Sequence, residues 1–155
     1  MKIMPTHRIE IGTWIVVCDG KKALILENEG DSKFPNLQVR EEREHQLQRT
    51  HEIGTDVPGR VFASVGAARS STEQTDWHAR SEQEFLHALI QHLDEAVRKG
   101  RTKTMVIVAP PRALGILRLI YTAALRSAVV AEITHDFVKL PVAEIEKRLF
   151  KEVSA

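Results

Sequence analysis

Five consecutive apolar residues, Trp14 to Cys18, sit between Gly12 and the turn pair Asp19-Gly20. Such a β-branched run closed by Asp-Gly predicts a strand entering a tight turn. "KKALILENEG" (Lys21 to Gly30) repeats the pattern and ends on a second polar, glycine-terminated turn. In "NLQVREEREHQLQ" (Asn36 to Gln48) Leu37, Val39 and later Leu47 stand among charged residues, as in a strand solvated on one face. Short connections make these three an antiparallel meander. Periodicity then vanishes, and a long irregular loop is expected over about 49–77, with "RVFASV" as at most a short strand.

The period changes to that of a helix in "SEQEFLHALIQHLDEAVRKG" (Ser81 to Gly100). Phe85, Leu86, Leu89, Leu93 and Val97 form its apolar stripe. Ser81 and Glu84 have the spacing of a capping box, with an alternative start near Asp76. Arg98 and Lys99 fall in the last turn, and Gly100 closes it. "KTMVIVAPP" reads as a strand apolar on both faces, "RALGILRLIYTAALR" as one helix, "AVVAEITHDF" as a strand and "PVAEIEKRLF" as a closing helix. The expected fold class is α/β, one domain over 1–155: a mixed five-stranded sheet, an antiparallel meander followed by βαβα, flanked by helices. That order is the one of ribonuclease H-like folds.

Composition sharpens this picture at one place. The 155 residues are 43% hydrophobic and 28% charged, ordinary for a globular domain, with a net charge of +1. Yet Ala96 to Ala131 holds seven basic residues and no acid, while the remaining 15 basic residues face all 21 acids. A near-neutral chain can thus present a local anion-binding face. No run reaches the roughly 20 apolar residues of a membrane helix, the N-terminus lacks a signal peptide's apolar core, and the cytoplasm is expected. The lone Cys18 reads as a buried strand residue.

Catalytic signatures are missing where they would be needed. Two-metal nuclease chemistry requires converging carboxylates. Asp19 at the end of the first strand is one candidate and Asp136 after the last strand another, but "VAPP" carries no acid between them. Asp19 reads more simply as a turn residue. His87 and His92 lie about 140° apart on a helix and cannot share a metal; they read as solvated polar-face residues. "DVPGRVFASVGAARSS" (Asp56 to Ser71) lacks the lysine and spacing of a phosphate loop, leaving Arg60 and Arg69 as anion donors from a loop. On a helical wheel from Arg112, the residues Arg112, Gly115, Arg118, Thr122 and Arg126 fall within an arc of about 120°. Leu114, Leu117, Tyr121, Ala124 and Leu125 lie opposite, toward the sheet. The arginine stripe has the chemistry to meet phosphate or an acidic partner. It starts at "APPR", the carboxyl end of a parallel strand, where ligands of open α/β sheets collect.

"WIVVCDGKKALILEN", "DVPGRVFASVGAARSS", "VIVAPPRALGILR" and "AEITHDF" together resemble the bacterial host-attachment protein family, proteins required for attachment to host cells. The family is remotely similar to the middle domain of archaeal and eukaryotic peptide-chain release factors, which implies a ribonuclease H-like topology. That domain triggers peptidyl-tRNA hydrolysis through a Gly-Gly-Gln loop, and no Gly-Gly pair occurs in this chain. The expectation is therefore a non-catalytic binding module without metal or cofactor. It engages RNA or the translation machinery through Arg112, Arg118 and Arg126, with Arg60 and Arg69 assisting. Two alternatives stand beside it: a factor binding an acidic protein that affects attachment indirectly, and a metal-dependent hydrolase using Asp19 and Asp136.

Overall fold

The computed structural model describes residues 9–45 and 71–154. The chain runs β1 (Trp14–Cys18), β2 (Lys22–Asn28), β3 (Leu37–Glu44), α1 (Ser71–Arg98), β4 (Met105–Ala109), α2 (Pro111–Ile120), α3 (Ala123–Ala128), β5 (Val129–Thr134) and α4 (Val142–Ser154). The five strands form one sheet in the order β3-β2-β1-β4-β5. β1, β2 and β3 pair antiparallel, while β4 pairs parallel with both β1 and β5. The carboxyl ends of β1, β3, β4 and β5 consequently share one edge of the sheet, here the upper edge.

Strand alternation sorts the core into two layers. Trp14, Val16, Cys18, Met105 and Ile107 face α1, α2 and α3. Ile15, Val17, Val106, Val108 and Ile133 face Ile145 and Leu149 of α4. Helices therefore cover both faces, which is why β1 and β4 are apolar at every position. Each fully buried Leu, Ile or Val contributes about 1.5–3 kcal/mol.

Helix α1 extends beyond the sequence expectation, since residues 71–77 are helical rather than loop. No glycine or proline falls between Ser71 and Lys99, so nothing in the backbone ends the helix early. At 28 residues it is about 42 Å long, against about 17 Å for a five-residue strand. Trp77, His78 and Arg80 are exposed, whereas Ser81 is buried. The expected cap at Ser81 is thus a buried mid-helix residue. At the other end Gly100 takes a left-handed φ of 76°, and Arg101 N–H donates to Ala96 O at 2.9 Å, closing the helix as expected.

The single helix expected from Arg112 is two helices. Thr122 is extended (φ −77°, ψ 166°) and its side chain accepts from Leu125 N–H, starting α3 afresh. β3 departs from plain alternation as well. Its register with β2 shifts between Ile25 and Leu26, and Leu37 is buried while Val39 stays exposed. Leu47 and "RVFASV" lie outside the described residues.

Candidate functional site

The upper edge is built from a turn, a helix face and a helix start. Asp19 Oδ1 accepts from the N–H groups of Lys21 and Lys22 at 2.7 and 2.8 Å, which folds the β1–β2 turn tightly. Gly20 has no side chain, and a Cβ there would run into Glu82 of α1. Glu82 uses that space and accepts from Arg112 Nε at 2.7 Å. Arg112 sits in the first turn of α2, where a cation opposes the helix dipole and no acid is present within the helix itself. Glu82 supplies the compensating charge from a different element. The Arg112 side chain remains 70% exposed.

Arg118 leads to a buried acid. Glu132 in β5 is 1% exposed, and its Oε1 accepts from Arg118 Nε at 2.9 Å and pairs with Nη2 at 2.8 Å. Its Oε2 accepts from the Tyr121 hydroxyl at 2.8 Å. Burial first, and then the Glu132 carboxylate, push the Tyr121 hydroxyl far above the usual phenol range, so it remains a donor. Together they fasten edge strand β5 to the end of α2. Arg118 is 47% exposed, with its charge balanced from below.

Arg126 belongs to the opposite end of the molecule. The Thr122 hydroxyl donates to Asp94 Oδ1 of α1 at 2.6 Å, and Asp94 Oδ2 pairs with Arg98 at 2.8 Å. Both α1 and the α2–α3 pair run from the upper to the lower edge. Arg126, one turn beyond Thr122, therefore descends beside Arg98, one turn beyond Asp94. Exposed Arg101 and Lys103 follow in the connection to β4. Arg101, Lys103 and Arg126 make no salt bridge among the described residues. The Lys99 ammonium, with Arg101 and His92 at longer range, holds the exposed Glu95 carboxyl below its usual range.

The arginine stripe is thus divided. Arg112, in the first turn of α2, marks the upper edge, and Arg126, in the last turn of α3, the lower. Arg60 and Arg69 lie outside the described residues. Asp19 is the turn residue expected; Asp136 is exposed beyond β5. With β4 between them, β1 and β5 stand about 10 Å apart. Among the described residues no group of three His, Cys, Asp or Glu is placed to hold a metal ion, and no helix is long and apolar enough to cross a membrane. His92 is not simply solvated: its Nε2 lies 3.0 Å from Glu41 Oε1, joining α1 to β3.

Sequence reasoning missed Glu82, Asp94, Glu95 and Glu132, the acids that answer the basic segment. Glu132 alone left a trace, as an acid inside an apolar strand run. Also missed was a cleft of about 990 Å³ between the β1–β2 turn, the upper ends of β2 and β3, the start of α4 and Trp77. A family model described as bacterial archaeo-eukaryotic release factor family 12 matches residues 12–149. No curated protein matches the chain.

Proposed function

This chain belongs to bacterial archaeo-eukaryotic release factor family 12, and on that premise we propose that it is a non-catalytic binding module for RNA of the translation machinery. The observation that carries the reading is a group of cations with no salt bridge among the described residues, Arg101, Lys103 and Arg126, at the lower end of a release-factor-family domain. The acids at that end of α1 are already engaged: Asp94 pairs with Arg98, and Glu95, which Arg101 reaches only at longer range, pairs with Lys99. We read the sheet order, with its antiparallel meander and two parallel strands, as ribonuclease H-like.

Release chemistry does not follow from family membership, because the chain has no Gly-Gly pair. A hydrolase using Asp19 and Asp136 is not favoured either, since Asp19 Oδ1 already accepts two backbone N–H groups. Aromatic residues make up 5% of the chain, so recognition is led by charge and shape rather than by base stacking. Arg112 and Arg118 are secondary contacts, each already bound to a carboxylate. Arg60 and Arg69 retain an assisting role. An RNA partner in translation implies work in the cytoplasm and makes any effect on host attachment indirect.

The test is fluorescence anisotropy of a labelled RNA hairpin between 50 and 200 mM KCl, probe conditions chosen for a charge-led interaction. Binding should weaken steeply with salt. Replacing Arg126 or Lys103 by Ala should flatten the log–log slope by about one for each phosphate-binding cation removed. Absent or salt-insensitive binding would sink the RNA reading and leave the acidic protein partner.

A further inference from the structure

The cleft at the upper edge has no part in the RNA reading, which concerns the opposite end of the molecule. Its volume, about 990 Å³, is at the top of the range in which small-molecule sites occur. Leu24, Val39, Val138 and Leu140 give it an apolar wall. Trp77 stands on its rim, 42% exposed, where an indole of a stable core would be covered. The Trp77 ring meets His78 in a tilted contact at 5.7 Å, which leaves it open to a further planar group.

Three lysines line the same space: Lys21 and Lys22 from the β1–β2 turn and Lys139 from the β5–α4 connection. None of them makes a salt bridge among the described residues. Neighbouring β3 behaves differently, pairing Arg40 with Glu27 and Arg43 with Glu41. The lining also has Glu42 and Glu44, the latter directly across the ladder from Lys22. These carboxylates make no ion pair with the lysines, and both are exposed. Asp19 is turned inward to its own backbone.

Open cations, open carboxylates, an exposed indole and an apolar wall suit a ligand with phosphates, hydroxyls and a planar ring. A bare anion would not use the indole or the wall, and a lipid chain would not use the carboxylates. We propose that this cleft binds a nucleotide, with its base against Trp77 and its phosphates among Lys21, Lys22 and Lys139. Glu42 and Glu44 then face the ribose hydroxyls, the role acidic residues have in many nucleotide sites.

The experiment is titration of the full chain with ATP, GTP and AMP, alongside adenosine and inorganic pyrophosphate, read by tryptophan emission and by calorimetry. Trp14 is buried and acts as an internal reference, so a saturable quench should come from Trp77 and vanish in Trp77→Phe. The Lys21→Ala/Lys22→Ala double variant and Lys139→Ala should each weaken nucleotide binding by about tenfold or more, as loss of charge-assisted bonds does. Adenosine should bind more weakly than AMP, and pyrophosphate should compete without quenching. Lys21, Lys139 and Trp77 are exposed and Lys22 is half-buried, and far-ultraviolet circular dichroism verifies that the variants fold. Heat and quench absent for every nucleotide would overturn the proposal. So would binding indifferent to the lysines, or a quench that persists in Trp77→Phe. Affinity for an RNA hairpin without affinity for any mononucleotide also overturns it, while leaving the lower-end RNA reading intact.

Discussion

Glu132 is the acid that an apolar strand would not be expected to tolerate, and three donated bonds explain why it is there. A buried carboxylate without partners would cost several kcal/mol. Glu132→Ala strands the Tyr121 hydroxyl, while half-exposed Arg118 can turn to water. A loss of about 2–3 kcal/mol in urea denaturation is expected, with a smaller loss for Glu132→Gln. Cys18 supplies a second test at this scale. Burial first, and the Asp19 charge second, push its thiol from 9.0 up to about 12. The native thiol should be inert to a disulfide reagent at pH 8 and react at once in denaturant. The folded chain holds this proton where the unfolded chain releases it. Stability should therefore fall as pH rises from about 9 toward 12, by about 1.4 kcal/mol per pH unit, a slope reduced in Cys18→Ala. The burial of Cys18 was legible from its flanking valines; the partners of Glu132 were not, because they come from another element.

At the scale of elements, the strands followed their apolar runs closely, and Gly100 ended α1 where a left-handed residue was required. Two helix boundaries escaped. Residues 71–76 read STEQTD, with no apolar side chain, so apolar periodicity could not mark the start of α1. The break at Thr122 was hidden because Tyr121 and Leu125 keep the spacing of a continuous stripe. Thr122 has two duties, capping α3 and donating to Asp94. Thr122→Ala should cost about 1–2 kcal/mol in thermal or urea unfolding, and Thr122→Ser should recover most of it.

For the whole molecule, the acid-free stretch from Ala96 to Ala131 does not become one basic face. Glu82 reaches Arg112 from α1, Glu132 reaches Arg118 from β5, and Arg101, Lys103 and Arg126, the cations of this stretch with no salt bridge among the described residues, collect at the lower edge. The RNA experiment inherits a ranking from this arrangement. Arg112→Ala should change the salt slope less than Arg126→Ala, since the Arg112 charge is already answered by Glu82 and neutralises less phosphate. Equal effects would point to an RNA path spanning both edges and contradict a lower-end site.

The residues by themselves determined the class of fold, the strand positions and the family resemblance, because strands apolar at every position can only sit in a sheet covered on both faces. Where the charges act was decided by tertiary structure alone. Ion pairs form between side chains brought together by sheet order and helix packing, and Glu82 and Arg112 are 30 residues apart along the chain. The upper-edge cleft arises the same way, from turns that become neighbours only when the five strands are in register.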